Sequence, residues 1–413
     1  MKLAVALSAA AIVATALVAP PVAAAPAPAA PAALAKKSFM VYSKFTSRQV
    51  VAYGGANNVG DLTITQGTVT DTSGKNIGTL TAVIRVVAPS PKKDAELRDT
   101  QSSITLKDGT IFAQAVNEDP KGKPPADLHI MPVTGGTGAY ASARGTLLMR
   151  PIGDKYLMAY DIFVEKDLRT STLSFDSVVN STATGDAPQG VGDVRLTRAV
   201  GGDNSYISIA TRAGTSGGTV LDTVDLQVFT TDGSLYARAI SRSKGGEAKN
   251  QAYAVLGGTG TYSGYRGELT LDASGRSIRL RLAAPTGNAK PLAWFEDDGK
   301  GVADLPITGG TFMGVEGLMY QKADRKKKVG DYFATRIAYD EIDGVTPIVT
   351  MLEQDFKTGT MIVGGITLST GEDAAAVVRP IIGGTGDYGG ASGQVTSAQD
   401  ATGLWRKTGR FWR

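Results

Sequence analysis

Few residues in this chain have the types and spacing that conventional catalysis requires. His129 is the only histidine, and there is no cysteine. A metal site built from several histidines is therefore excluded, as are disulfides, thiolate ligands and cysteine nucleophiles. A Ser-His-Asp triad would have to use His129, which lies in a strand-like Asp-Leu-His-Ile segment, so this arrangement is disfavoured.

The clusters of charged residues are also more typical of solvated loops than of metal, phosphate or nucleic-acid sites. The run Glu296-Asp297-Asp298 suits either a Ca²⁺-binding loop or a solvated turn, and the turn is favoured. The 43 basic and 39 acidic residues give a formal net charge of +4, and the basic run at residues 325–328 lies between strand-like segments. No glycine loop followed by lysine suits a phosphate. We therefore expect no metal, no cofactor and no nucleic-acid partner.

Residues 1–35 have the features of an export signal followed by an Ala/Pro leader. Met1 and Lys2 form a short basic start, an apolar stretch runs to Val18, and the small residues near Ala25 suit cleavage. The alternative is an uncleaved anchor, but the apolar run is short for a span of about 20 residues. We expect a secreted protein, periplasmic or extracellular, without a membrane partner after cleavage.

A glycine motif divides the remaining chain into equal parts. Gly-Gly-Thr-Gly occurs at residues 135–138, 257–260 and 383–386, at intervals of 122 and 126 residues. After each copy comes one variable residue, then a tyrosine, and a glycine five residues after that tyrosine. An interval of this size corresponds to one small domain, so the motif predicts three of them.

The segments around the motif have the character of β-strands. A tight hairpin turn precedes each copy, at Asp108-Gly109, Asp232-Gly233 and Thr358-Gly359. Residues 277–282 alternate strictly between polar and apolar. Short strands with regular turns predict an all-β fold, and barrels are favoured over sandwiches because closure removes unpaired edges. We place the three barrels at residues 38–167, 168–287 and 288–413, without long linkers between them.

The first motif and its surroundings resemble a known superfamily. Gly-Gly-Thr-Gly-x-Tyr-x-x-Ala-Arg-Gly at residues 135–145, preceded by the Asp-Gly-Thr-Ile hairpin, looks like the dirigent and allene oxide cyclase barrels, in their bacterial form. The resemblance implies eight-stranded antiparallel barrels, each with an apolar interior pocket. Relatives commonly form trimers of barrels, so three tandem barrels in one chain are expected to associate as a pseudo-trimer.

The resemblance also implies site residues. In the dirigent branch, an acid just after the motif and the arginine of Ala-Arg-Gly belong to the pocket. The acid position is Ala139, Thr261 and Asp387, and the arginine position is Arg144, Arg266 and Ser392. Arg144, Arg266 and Asp387 are thus the catalytic candidates, although no repeat holds both groups. The candidate ligand-binding residues are the aromatic ones, Tyr42, Tyr140, Tyr262 and Tyr388.

The cyclase branch keeps a carboxylate and an amide on its first strand. Here the corresponding positions are Ser43 and Phe45, which argues against transfer of that activity. Two functions therefore stay open. One is a cofactor-free barrel that binds a small hydrophobic molecule and steers its cyclisation or stereoselective coupling, as an isomerase-like enzyme would. The other is a non-catalytic secreted ligand carrier or a structural, adhesive repeat protein. The polarity of the barrel interiors distinguishes them.

Overall fold

The fold is built from β-strands in three successive sheets. The computed structural model describes residues 34–54, 58–185, 190–216, 219–244, 249–369 and 376–413, so nearly all of the predicted export signal and leader lies outside the described residues. Across these ranges the regular structure is 26 strands, with single 3₁₀ turns directly after each Gly-Gly-Thr motif and no α-helix. The predicted fold class, all-β with tandem eight-stranded antiparallel barrels, is confirmed.

The first sheet closes on itself and is called barrel 1. Its strands are β1 (Leu34–Val51), β2 (Leu62–Thr70), β3 (Asn76–Pro89), β4 (Ala95–Leu106), β5 (Gly109–Pro120), β6 (His129–Gly136), β7 (Arg144–Ile152) and β8 (Lys155–Glu165). The long strand β1 closes the barrel, because its first part pairs with β8 and its second part pairs with β2. A bulge between Phe45 and Ser47 lets β1 bend between the two partners.

Barrel 2 repeats this plan with a broken first strand. Its strands are β9 (Arg169–Ser174), β10 (Ser177–Ala183), β11 (Val194–Gly201), β12 (Asn204–Ser216), β13 (Thr219–Thr230), β14 (Gly233–Lys244), β15 (Gln251–Gly258), β16 (Arg266–Leu271) and β17 (Ser277–Ala283). The strands β9 and β10 form the two edges of the sheet. Phe175 and Asp176 join them, and their amides donate to the carbonyls of Arg276 and Val200 on opposite edges, both at 2.9 Å.

Barrel 3 also begins with a divided strand. Its strands are β18 (Lys290–Glu296), β19 (Lys300–Ile307), β20 (Gly310–Tyr320), β21 (Lys328–Tyr339), β22 (Thr346–Phe356), β23 (Gly359–Ser369), β24 (Ala376–Gly384), β25 (Ser392–Gln399) and β26 (Trp405–Trp412). The strand β18 pairs with both β26 and β20, which closes the barrel, while β19 continues along β20.

Each barrel has its own core, built by the two-residue period of the strands. In β8, alternate residues from Tyr156 to Ile162 are buried and face the interior of barrel 1. The alternation predicted for residues 277–282 is confirmed, because Ile278, Leu280 and Leu282 are buried in barrel 2. In barrel 3, the core includes Trp294.

The three barrels pack around a common centre through equivalent strands. The strands β6, β15 and β24, which lead into the glycine motifs, contact one another in pairs. A methyl group added to Gly135 would lie 3.2 Å from the Cβ atom of Ala254 in barrel 2. The same addition to Gly257 would meet Pro380 of barrel 3 at 2.9 Å, and to Gly383 would meet Pro132 of barrel 1 at 3.1 Å. The first motif glycine therefore permits close contact from each barrel to the next.

The other motif residues act within each barrel. The motif threonine accepts a hydrogen bond from the hairpin amide, from Thr110 to Thr137 at 3.1 Å and identically in the other two copies. The third motif glycine has a positive φ in all three copies, at Gly138, Gly260 and Gly386. A residue with a side chain would be strained in this conformation. The motif and the hairpin therefore form one docked unit in each barrel.

Candidate functional site

Five ionisable side chains gather inside barrel 1, near the end opposite the glycine motif. Four strands supply them: Glu96 and Arg98 from β4, Asp119 from β5, His129 from β6 and Tyr156 from β8. All five are buried, with exposures between 2% and 8%. Because side chains alternate between the two faces of a strand, these five residues share the inward face with the core residues Ile104, Ala115, Met131 and Met158. We call these five residues the polar cluster.

Short distances connect the polar cluster. Nη2 of Arg98 lies 2.6 Å from Oε1 of Glu96, and Nη1 lies 3.7 Å from Oδ2 of Asp119. Nε2 of His129 lies 3.1 Å from Oδ1 of Asp119, an ion-pair distance, but without the alignment of a hydrogen bond. Burial, followed by the charge of Asp119, raises the pKa of Tyr156, so its phenol stays protonated at neutral pH.

The polar cluster is incompletely satisfied. In the described part of the chain, Oε2 of Glu96, both carboxylate oxygens of Asp119 and both ring nitrogens of His129 are buried without a hydrogen-bond partner. Ser43 on β1 is the register partner of Tyr156 on β8, and its Oγ is also buried without a hydrogen-bond partner. Each such group costs about 1–3 kcal/mol, and native proteins normally supply a partner from the chain, water or a ligand. The open donors and acceptors therefore point to a binding position.

The walls around the polar cluster are aromatic and apolar. The ring of Phe45 lies 5.2 Å from that of Tyr156, and deeper in the barrel Phe39 stacks on Tyr160 at 5.0 Å. Met149 and Met158 pack in the same core. A small molecule here would meet polar groups at one side and ring faces at the other, which is the usual make-up of a small-molecule site.

Barrels 2 and 3 lack this set at the equivalent positions. Strand register aligns the pair Glu96 and Asp119 with Val220 and Ser243 in barrel 2, and with Thr346 and Ser369 in barrel 3. It likewise aligns His129 with Gln251 and Val377. The interior of barrel 2 is instead a packed core of apolar and tyrosine side chains. The polar cluster is therefore a property of barrel 1.

Barrel 3 contains a different ionic network, and that network is nearly closed. Glu296 is buried, and its Oε1 accepts from Nε1 of Trp294 at 3.0 Å and from Nε2 of Gln354 at 2.9 Å. Nζ of Lys407 lies 2.8 Å from Oε2 of Glu296 and donates to Ser397 at 3.0 Å. Both carboxylate oxygens are satisfied, so Glu296 braces the barrel and is not part of the solvated turn favoured from sequence. Within the described ranges, no cluster of histidine and carboxylate residues could hold a metal ion.

The structure places the two arginines predicted from sequence between barrels. Arg266 is 1% exposed, and it donates to the carbonyls of Thr134 in barrel 1, Leu256 in its own barrel and Ala391 in barrel 3. Burial, and then the charge of Arg144, lowers the pKa of Arg266 to about 9, which leaves it protonated at neutral pH. Nη2 of Arg144 lies 3.7 Å from Oε1 of Glu165. The contacts of Arg266 join the three barrels, whereas the pair of Arg144 and Glu165 lies within barrel 1, and the predicted catalytic role of both arginines stays a prediction.

The other predicted residues are distributed over the three barrels. Tyr140, Tyr262 and Tyr388 are half-buried against the cores of barrels 1, 2 and 3, beside their motifs. Asp387 is exposed, and its carbonyl accepts from Arg413 at 2.8 Å. Tyr42 lies on β1 between the inward-facing Val41 and Ser43, so it belongs to the outer face. The structure does not bring these residues together, and their predicted ligand-binding role stays a prediction.

Sequence reasoning missed four members of the polar cluster. Glu96, Arg98, Asp119 and Tyr156 carry no motif, and His129 was considered only as a triad residue. A signal did exist, because the tight turn at Asp108-Gly109 implies the hairpin register that places Glu96 opposite Asp119. The positions of His129 and Tyr156 depend on closure of the barrel and have no such local signal.

Comparison with known proteins agrees with the geometry of barrel 1. The family model described as "Allene oxide cyclase barrel like domain" matches residues 41–163. Barrel 1 is therefore similar to allene oxide cyclase barrel-like domains. The match spans β1 to β8 and includes every residue of the polar cluster. No curated protein sequence matches the chain.

Solved structures add little to this similarity. One titled "Pyocyanin demethylase" is 23% identical, with a TM-score of 0.26, and covers 30% of this chain and 99% of its own. Another, OccK8 (OprE) of Pseudomonas aeruginosa, is 10% identical, with a TM-score of 0.13, and covers 91% of this chain and 96% of its own. Scores this low carry no argument about fold or function. In the described part of the chain, no helix is long and apolar enough to cross a membrane.

Proposed function

We propose that the protein binds a small hydrophobic molecule at the polar cluster of barrel 1 and moves a proton on it without a cofactor. The observation that carries this proposal is the set of buried, unpartnered polar atoms on Glu96, Asp119 and His129. The buried carboxylate of barrel 3, Glu296, has both oxygens satisfied, whereas a site that binds a ligand keeps open donors and acceptors. Proton transfer of this kind serves isomerisation and cyclisation.

Each member of the polar cluster has a role in the proposed reaction. His129, whose Nε2 lies 3.1 Å from Oδ1 of Asp119, removes a proton from a carbon next to a carbonyl group. The electron pair of the broken C–H bond moves to the carbonyl oxygen and forms an enolate. Arg98 and the neutral phenol of Tyr156 stabilise the negative charge on that oxygen. The proton then returns at a carbon or oxygen atom of the same molecule, so no oxidant or reductant is needed.

We propose a structural role, and no catalytic one, for barrels 2 and 3. The packed core of barrel 2 and the closed Glu296–Lys407 network of barrel 3 favour a structural role. The second candidate function, a non-catalytic carrier or structural repeat protein, would extend that role to the whole chain. The two candidates differ in what they expect of barrel 1: catalysis requires the polar cluster, whereas carriage requires only its apolar walls.

We also propose that the protein is exported. The basic start, apolar stretch and small residues of the N-terminal segment support export, as does the absence of cysteine from a chain that needs no disulfide. Fractionation of the native host, followed by N-terminal sequencing, tests this. A cytoplasmic protein that retains Met1 or begins at residue 2 would contradict export.

Exchange of hydrogen for deuterium provides the functional test. We expect the wild-type protein to accelerate exchange of the methyl hydrogens of 4-hydroxyacetophenone, or the α-hydrogens of 2-cyclohexen-1-one, with D₂O, followed by proton NMR. Asp119→Asn and His129→Gln should abolish the acceleration, whereas Ser243→Ala, the equivalent of Asp119 in barrel 2, should retain it. Exchange at the buffer rate with both ketones, while either ketone still binds, would favour the carrier.

A further inference from the structure

A loop covers the polar cluster from outside the barrel. Residues 121–128 connect β5 to β6, directly between Asp119 and His129. Every residue of this loop is exposed except Pro125, which is buried. A single buried residue in an otherwise solvated loop marks the point where the loop enters the barrel. We call residues 121–128 the covering loop.

The main chain around Pro125 takes hydrogen bonds from the polar cluster. Nη1 of Arg98 donates to the carbonyl of Lys123 at 2.7 Å, and Nη2 donates to that of Pro120 at 2.7 Å. The hydroxyl of Tyr156 donates to the carbonyl of Pro125 at 3.2 Å. The donors of Arg98 and Tyr156 are therefore satisfied by carbonyl oxygens of the chain itself. Lys123 and Pro125 of the covering loop supply two of them, and Pro120 at the end of β5 supplies the third.

Among the acceptors of the polar cluster, Oε1 of Glu96 receives a hydrogen bond from the covering loop, from the amide of Gly122 at 3.3 Å, whereas Asp119 and His129 receive none. Both oxygens of Asp119 and both nitrogens of His129 have no hydrogen-bond partner within the described chain. The covering loop thus accepts from Arg98 and Tyr156 and donates to Glu96, but it leaves Asp119 and His129 open. A ligand that paired with both groups of residues would form contacts that the covering loop cannot form.

We propose that the covering loop is a removable occupant of the site, in which Pro125 and the nearby carbonyl groups stand where the ligand binds. This inference rests on the proposed function and defines its ligand class. The ligand has an apolar ring in the position of Pro125 and a carbonyl oxygen that accepts from Arg98 and Tyr156. It also has an O–H or C–H proton directed at Asp119 and His129.

The charge of the polar cluster favours a neutral ligand. Glu96 and Asp119 face one guanidinium, that of Arg98, so the carboxylates already outnumber the cation. An added carboxylate would bring a third negative charge into a buried space. The carbonyl groups that the covering loop places there are neutral acceptors. We therefore assign a neutral ketone or aldehyde, and not a carboxylate, to the site.

The sequence of the covering loop suits movement as a unit. Pro124 and Pro125 are adjacent, and a residue before proline is held in the extended region, so this part of the loop is stiff. Gly122 at its start has a φ of 68°, a conformation that glycine adopts without strain. A stiff segment beside a permissive glycine can swing out while β5 and β6 keep their register.

Binding of 4-hydroxyacetophenone to matched variants tests the inference. When a site must open before it binds, the apparent Kd rises as the open fraction falls. Pro125→Gly removes the buried ring, and we expect it to tighten the Kd by roughly threefold or more. Pro124→Gly changes an adjacent, exposed proline in the same way and should leave the Kd unchanged. Calorimetry gives the Kd, and thermal unfolding confirms that both variants are folded.

A second readout tests displacement directly. Hydrogen exchange of the loop amides should become faster when 4-hydroxyacetophenone binds the wild-type protein, because the ligand expels the loop. In addition, 4-hydroxybenzoate should bind at least several-fold more weakly than the ketone, because its carboxylate adds a buried negative charge.

The outcomes separate this inference from the proposed function. If Tyr156→Phe weakens ketone binding but Pro125→Gly binds no more tightly than Pro124→Gly, the covering loop is not an occupant, and the ligand site itself survives. If neither the ketone nor the carboxylate binds, or if Tyr156→Phe and Asp119→Asn leave their binding unchanged, both the site and the inference are overturned. Equal affinity for the ketone and the carboxylate would overturn the assignment of a neutral ligand.

Discussion

Nε2 of His129 and Oδ1 of Asp119 are 3.1 Å apart inside barrel 1, and neither side chain has a hydrogen-bond partner in the described chain. Strand β5 supplies one and β6 the other, so the pair spans the gap that the covering loop closes. A buried carboxylate beside an imidazole, with open atoms on both, is costly as pure structure.

We expect Asp119→Asn to stabilise the protein while it abolishes exchange of the ketone hydrogens. The substitution keeps the shape of the side chain but removes an incompletely paired buried charge, and relief of this kind at active sites is worth roughly 0.5–2 kcal/mol. Urea denaturation gives the free energy of unfolding. A large destabilisation would instead assign Asp119 a structural role, as one expects of a satisfied ion pair. Ser243→Ala is the control.

Gly257→Ala should weaken the packing between barrels 2 and 3. The added methyl group would lie 2.9 Å from the Cβ atom of Pro380 and 3.0 Å from the carbonyl oxygen of Ile381. Overpacking of this kind costs about 1–3 kcal/mol. Gly301→Ala is a matched control, because nothing lies within 4 Å of the added atom there. Equal urea midpoints for the two variants would contradict the packing role of the first motif glycine.

Arg266→Met should destabilise the association of all three barrels. The change keeps an unbranched chain of similar length but leaves the carbonyls of Thr134, Leu256 and Ala391 without this donor. Losing several buried hydrogen bonds from a charged donor costs on the order of 3 kcal/mol. Arg279→Met, at an exposed position of β17, is the control. Wild-type stability in Arg266→Met would show that the buried charge is not needed for assembly.

Glu353 should make stability depend on pH near neutrality. Its Oε2 accepts from the amide of Val116 in barrel 1 at 2.6 Å, and its side chain lines a cavity of about 10 Å³ together with Asp99. Burial, and then the charges of Asp99 and Asp355, raises the pKa of Glu353 to about 8. The side chain keeps some accessible surface because it borders this cavity, which is at the lower limit for one water molecule.

The free energy of unfolding depends on pH because the folded and unfolded states release the Glu353 proton at different pH values. The folded state holds the Glu353 proton up to about pH 8, whereas the unfolded state loses it near the ordinary glutamate pKa of 4.5. The stabilisation is therefore complete below about pH 4.5 and is lost as the pH rises to about 8. Glu353→Gln should flatten the decline, which is at most on the order of 1 kcal/mol per pH unit. Urea denaturation at several pH values measures it, and identical slopes in both proteins would rule it out.

The sequence by itself determined the architecture. The repeated glycine motif, the hairpin turns and the alternation of residues 277–282 predicted three tandem antiparallel barrels, because these features act over a few neighbouring residues. They needed no knowledge of distant contacts. The third motif glycine illustrates this, since its positive φ is a local requirement of the turn that follows the motif.

Only the tertiary structure decided where the chemistry lies. Arg144 and Arg266 followed a family pattern from sequence, but Arg266 donates to carbonyls of all three barrels and Arg144 lies beside Gly390 of barrel 3, because the barrels converge there. The polar cluster forms because closure of barrel 1 brings β8 beside β1 and turns Tyr156 towards Asp119 and Arg98. An isolated strand fixes which residues share a face, but not which other strands that face meets. That depends on the curvature and closure of the whole sheet.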